Sequence, residues 1–164
     1  MAGISGKLRG LKVPTTPMVF EALVDSVIEQ QISLLVAHRM QNRLIRAIGQ
    51  QAVIRGQTYY CYPAPGGIAS ASDETFRECG LSRRKAEYIR DIARQIVEGT
   101  IDLEKYRSMP DTESVLAELM ELRGIGRWTA ELTALRGLHR FDAFPRLTIL
   151  VFAVSLATTT AAEG

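Results

Sequence analysis

Cysteine is nearly absent: the 164 residues hold two, Cys61 and Cys79, in unrelated contexts. That count excludes a disulfide framework and a four-cysteine iron–sulfur cluster, and no cofactor is expected. Two reduced thiols suit an intracellular protein. Long apolar runs are missing too. No stretch has the length and apolarity of a membrane span, and the N-terminus lacks the continuous apolar core of a secretion signal. The cytoplasm and no membrane partner are therefore expected. Charge of one sign is scarce, since 20 Lys and Arg against 18 Asp and Glu leave only +2. A balance so mild does not by itself name a nucleic-acid partner. Sustained period-2 alternation is absent as well, which argues against a sheet-based fold. What remains is 46% hydrophobic residues, ample for a core, in a length that suits one unit or two small lobes. The expected fold class is all-α.

The order of helices follows from apolar spacing and caps. After an irregular lead-in over 1–17, Phe20, Leu23, Val24, Val27 and Ile28 fall on one helical face. A break at Gln30-Gln31-Ile32-Ser33 follows, with Ser33 placed to cap a second helix. That helix carries Leu34, Leu35, Ala37, Met40, Leu44, Ile45 and Ile48 and stops at Gly49. Residues 56–72 read as loop. Ser72-Asp73 opens a short helix ending at Gly80, and Ser82 caps a longer one, Arg83 to Val97, closed by Gly99. Asp111-Thr112-Glu113 opens another, with Val115, Leu116, Leu119 and Met120 on one face, and a last helix begins near Arg127.

Between those last two helices stands Leu122-Arg123-Gly124-Ile125-Gly126-Arg127-Trp128-Thr129-Ala130. Two glycines around one aliphatic residue make a tight helix-to-helix turn. Without Cβ atoms the turn's amides can approach a phosphate, and the next helix N-terminus adds donors and partial positive charge. A Gly-capped turn between ordinary helices would look the same in isolation. The flanks add to it: Ala134-Leu135-Arg136-Gly137 follows, and Phe20-Glu21-Ala22-Leu23, Gln30-Gln31-Ile32-Ser33, Gly80 to Tyr88 and Asp142-Ala143-Phe144-Pro145 stand in order around it. Together these segments resemble the helix–hairpin–helix base-excision DNA glycosylases, and most closely the DNA-3-methyladenine glycosylase II family.

The resemblance implies two small helical lobes with a DNA cleft between them. The glycosylase domain would run over 18–145, with its hairpin at 115–138. It implies hydrolysis of the N-glycosidic bond of alkylated bases in base-excision repair, by a monomer on double-stranded DNA with damaged bases. Such an enzyme would associate with the nucleoid when bound. Gly124, Ile125, Gly126, Arg127 and Thr129 would grip the backbone. Carbonyls of Met120, Leu122 and Ile125 could hold a monovalent cation. Gln31 occupies the position from which family members insert a side chain into the duplex; on the residues alone it is equally a polar residue at a helix break. Arg83, Arg84 and Lys85 sit at a helix start, where positive charge opposes the dipole, so either a phosphate-facing or a merely solvated role fits. Trp128, the sole tryptophan, could stack on a cationic alkylated purine or serve as a core aromatic. Lyase-type relatives carry a Schiff-base lysine at that position, so Trp128 implies hydrolysis without strand cleavage. Leu132 would line an apolar pocket.

The tail departs from the family. Monofunctional relatives stabilise the oxocarbenium-like sugar with one aspartate, the second Asp of x-D-D-L-G after F-P. Counted from Phe144-Pro145, that motif falls on Arg146-Leu147-Thr148-Ile149-Leu150, so Thr148 holds the catalytic position and is not an acid. The region 146–164 is an aberrant tail, apolar from Ile149 to Ala157. Two accounts stand. Written as CTG ACG ATC TTG GTG TTC GCC GTG, one choice among synonyms, residues 147–154 read from one base earlier give x-D-D-L-G-V-R-R. A C-terminally truncated or frame-shifted glycosylase is then the expectation. Genuine divergence to a non-catalytic alkylation-damage DNA-binding protein is the other.

Overall fold

The computed structural model describes residues 13–143. Thr148 and the tail over 146–164 lie outside the described residues. Helices dominate, in the order α1 (Val19–Glu29), α2 (Leu34–Ile48), α3 (Pro65–Ser70), α4 (Asp73–Glu78), α5 (Arg83–Val97), a 3-10 turn (Glu104–Ser108), α6 (Thr112–Met120) and α7 (Arg127–Gly137).

The expected caps form. The Val36 amide donates to Ser33 Oγ at 3.5 Å, and the Thr75 amide to Ser72 Oγ at 3.1 Å. Lys85 N–H reaches Ser82 Oγ at 3.4 Å, and Ser114 N–H reaches Asp111 Oδ2 at 2.7 Å. Each satisfies an amide that has no partner inside its own helix. The N-terminus of α1 has no side-chain cap of its own. Glu104 supplies one from the 3-10 turn, accepting from Val19 N–H at 3.0 Å.

Three readings change. The stretch read as loop holds α3, and just before it lies a β-hairpin, β1 (Gln51–Ile54) paired with β2 (Gln57–Tyr60). Its two-residue turn puts Arg55 at φ 51° and Gly56 at φ 78°, the left-handed pair that a two-residue hairpin with right-twisted strands requires. Almost every residue of both strands is exposed, so no inward face produced an alternating pattern. Leu35 is not core but 62% exposed. Ala37, Met40 and Leu44 set the buried stripe of α2, and Leu35 lies roughly opposite it. Met120, the last residue of α6, is 38% exposed rather than on the packed face.

The helices form two groups. In one, α7 lies against α1 and is joined to α6 by the hairpin turn; in the other, α3 and α4 pack on α5. Contacts of α1 with α2 and α5 join the groups, and a single cluster of buried side chains runs through both. Leu23, Ile28, Leu44, Ile68, Phe76, Ile89, Leu116 and Leu119 are among its fully buried members. The helix α7 is buried on most of its circumference, through Thr129, Ala130, Leu132, Thr133, Ala134, Leu135 and Gly137. It meets α1 at Gly137, where a Cβ would come within 2.8 Å of Ala22 Cβ and 3.0 Å of Val19 Cα. The first residues of α7 are thereby held on a rigid central element.

Candidate nucleic-acid interface

The turn between α6 and α7 is closed by Leu122 O, which accepts from Ile125 N–H at 3.1 Å, and Ile125 is buried beneath it. Its two glycines do different work. Gly124 sits at φ 87°, in the left-handed region, and the Tyr88 ring of α5 packs so closely that any Cβ there would overlap it. Gly126 has an extended φ of −93°, which any residue adopts, and none of the described residues lies within 4 Å of where its Cβ would be. Packing therefore requires the first glycine and leaves the second bare toward solvent. Gly126 caps α7, and the first amide bonded back to the turn is Ala130 N–H, to Gly126 O at 3.0 Å. The preceding amides of α7 have no acceptor among the described residues, since this helix has no side-chain cap.

A second turn is fastened to the first. At the end of α1, Gln30 Nε2 donates to Gly124 O at 3.0 Å and to Thr129 Oγ1 at 3.0 Å. The next residue, Gln31, is exposed and left-handed at φ 57°. The predicted wedge position and the predicted grip are thus brought together.

Several predicted DNA contacts are already engaged within the protein. Lys85 does not face outward: its Nζ donates to Ile28 O at 2.7 Å and Gln30 O at 2.8 Å, and partial burial pulls its pKa down. The carbonyls at the end of α1 outcompete solvent for it. Thr129 is 2% exposed, accepting from Gln30 and, through its carbonyl, from Thr133 Oγ1 at 2.8 Å. Its side chain is a brace, not a surface contact. Arg127 is held by Glu113 at 2.8 Å and Glu131 at 2.9 Å, which push its pKa up and turn its charge along the hairpin. Arg83 and Arg84 remain exposed on the first turn of α5; Arg83 Nε reaches Glu87 at 3.0 Å and Arg84 Nη2 the Tyr88 hydroxyl at 3.3 Å. Trp128 is half-buried in the first turn of α7, and Leu132, one turn on, is buried. For a cation, Leu122 O already takes the turn amide, while Met120 O and Ile125 O take no donor among the described residues.

Sequence reasoning missed Gln30 and Tyr88 as residues that brace the turn, although both lie inside segments it singled out. It also missed a polar cluster along α1. There the Tyr62 hydroxyl donates to Asp25 Oδ1 at 2.9 Å, and Arg136 Nη1 pairs with Glu29 at 2.7 Å. Burial pushes the Asp25 carboxyl up to about 7, against the hydrogen bond from Tyr62 and with Glu29 and Glu21 adding to the rise.

The family model for HhH-GPD superfamily base excision DNA repair proteins matches residues 24–154. The chain belongs to that family. It is 35% identical over 127 residues to the putative DNA-3-methyladenine glycosylase YfjP of Bacillus subtilis, covering 77% of this chain and 42% of the relative. With DNA-3-methyladenine glycosylase 2 of Escherichia coli it shares 30% identity over 136 residues, 82% of this chain and 46% of the relative. Among solved structures, a 3-methyladenine DNA glycosylase from Archaeoglobus fulgidus superposes with a TM-score of 0.77 at 33% identity, covering 88% of this chain and 48% of that one. The chain spans about half the length of the relatives it matches. Among the described residues no helix is long and apolar enough to cross a membrane, and no cluster of His, Cys, Asp or Glu is placed to hold a metal ion.

Proposed function

We propose that this HhH-GPD chain is built to grip double-stranded DNA at the α6–α7 turn and to excise alkylated purines by hydrolysis. We further propose that the present sequence carries out that excision poorly. The observation that carries the reading is the division of labour between the glycines: Gly124 is explained by Tyr88, and Gly126 by nothing among the described residues. A bare, extended residue at the N-cap of a buried helix, followed by amides without acceptors, suits a phosphate. Trp128 stands in the next turn, where an indole face favours a cationic base over a neutral one. Carbonyls of Met120, Leu122 and Ile125 would hold a monovalent cation, whose charge would add to the attraction for a phosphate. A lone chain acting in the cytoplasm is part of the same reading.

Thr148 favours a second reading, a damage-binding protein without excision. A neutral hydroxyl cannot stabilise positive charge developing at the anomeric carbon, and loss of one preorganised electrostatic partner costs about 10²–10³ in rate. Release of 3-methyladenine from methylated duplex separates the two. The chain as written should release base at least 10²-fold more slowly, on the order of that loss, than one re-read in the alternate frame from Arg146. Equal rates for the two chains would remove the role assigned to position 148, and no release by either would leave the binding reading.

A further inference from the structure

The bonds around Gln30 go beyond a grip and a pocket. Gln31 is not a glycine, yet it is held at φ 57°, where a side chain meets its own backbone and sits only if the surroundings fix it. Two other elements do the fixing. From α7 and its turn, Thr129 Oγ1 and Gly124 O both accept from Gln30 Nε2 at 3.0 Å. From α5, Lys85 Nζ reaches past the helix end to Ile28 O at 2.7 Å and Gln30 O at 2.8 Å. The residue just before Gln31 is therefore tied at its side chain to the grip and at its carbonyl to α5. Ile32 N–H closes the turn onto Glu29 O at 3.4 Å.

Resting on the DNA-gripping reading above, we infer that Gln30 and Lys85 are positioning residues that set the distance and angle between the backbone grip at Gly126 and an inserting side chain at Gln31. Unstacking a base requires the phosphate to be held while something enters the vacated space at a fixed offset. A bond from Gln30 directly to the gripping turn provides that offset. Cutting it leaves the grip intact, because Tyr88, Ile125 and the Leu122–Ile125 hydrogen bond still shape the turn. What is lost is the registration of the wedge.

The test compares two duplexes, one intact and one carrying a tetrahydrofuran abasic analogue beside 2-aminopurine, titrated with the full chain. Gln30→Leu and Lys85→Met should bind the intact duplex as the parent chain does. Their preference for the abasic duplex should fall about tenfold, as expected when two or so hydrogen bonds are lost, and the 2-aminopurine emission rise should fall with it. Gln31→Ala should do the same, and Lys85→Arg should restore the preference. A change in stability alone would not alter the ratio between two duplexes. If Gln30→Leu or Lys85→Met fails to fold, Thr129→Val removes one acceptor without changing side-chain volume much and should show a smaller loss. Preference unchanged in the folded variants overturns the inference, as does a parent chain with no preference. A parent chain that binds neither duplex overturns the DNA-gripping reading with it, whereas binding weakened by Gly126→Val together with an abasic preference left unchanged by Gln30→Leu overturns the wedge alone.

Discussion

Replacing Gly124 and Gly126 one at a time separates architecture from recognition within a single turn. At Gly124 an added Cβ meets the Tyr88 ring and a backbone at φ 87°. The left-handed conformation costs roughly 1–2 kcal/mol for a residue with a Cβ. Overpacking against a ring adds about 1–3 kcal/mol. Tyr88 is not free to swing away, since Arg84 bonds its hydroxyl at 3.3 Å and the Arg123 guanidinium lies over its face at 5.4 Å. Gly124→Ala should therefore lose about 2–5 kcal/mol, which for a chain of this size lowers Tm by roughly 5–15 °C. Gly126→Val meets open space and an ordinary φ. Its stability cost is that of a poorer helix cap, about 1 kcal/mol or less. Its effect on DNA is larger, because a branched side chain blocks the amides: losing charge-assisted hydrogen bonds of about 1.5–3 kcal/mol weakens binding roughly 10- to 100-fold, whatever the base sequence. Thermal melts by circular dichroism and duplex titrations at low salt measure both quantities. If Gly126→Val binds duplex like the parent while Gly124→Ala melts normally, the turn is neither the keystone nor the grip described here.

Three further outcomes follow from particular contacts. Asp25 binds its proton more tightly folded than unfolded, its pKa being about 7 against 3.8, so stability should fall as pH rises from about 4 to 7. The loss should reach roughly 2–4 kcal/mol in melts across that range, and Asp25→Asn, which still accepts from Tyr62, should flatten it; a parallel pH profile in the variant would refute the assignment. Gly137→Ala should cost about 1–3 kcal/mol by wedging α1 from α7, and an unchanged Tm would show that the helices slide apart freely. With Trp128 where a Schiff-base lysine would stand, borohydride should trap no covalent adduct on abasic DNA, and a trapped species would contradict the hydrolytic assignment.

The helices were legible because their signals are local. Ser33, Ser72, Ser82 and Asp111 cap helices wherever the chain then goes, and one stripe such as Ala37, Met40 and Leu44 suffices to reveal α2. The β1–β2 hairpin escaped because both its faces are exposed, and because Arg55-Gly56 lacks the Asn or Asp that usually announces such a turn. The G-x-G turn was readable as a grip, yet sequence treats its two glycines alike; only the Tyr88 ring, from another helix, tells them apart.

Polar residues at the site show the limit most clearly. Charge near a helix start suggested that Lys85 faces a phosphate, and that inference used only the dipole of its own helix. The carbonyls ending α1 lie 57 and 55 residues away in sequence and offer the same ammonium a closer, partly desolvated partner. The pairing of Arg136 with Glu29 spans 107 residues, and that of Gln30 with Thr129 spans 99. Local sequence states what each group can bond, but the choice of partner belongs to the packing of α1 between α5 and α7. Gln30 and Gln31 carry the same side chain at adjacent positions, and one became a bolt while the other stayed exposed. The difference is one left-handed φ at Gln31, which rotates the chain between them and is held by contacts from elements that follow it much later in the sequence.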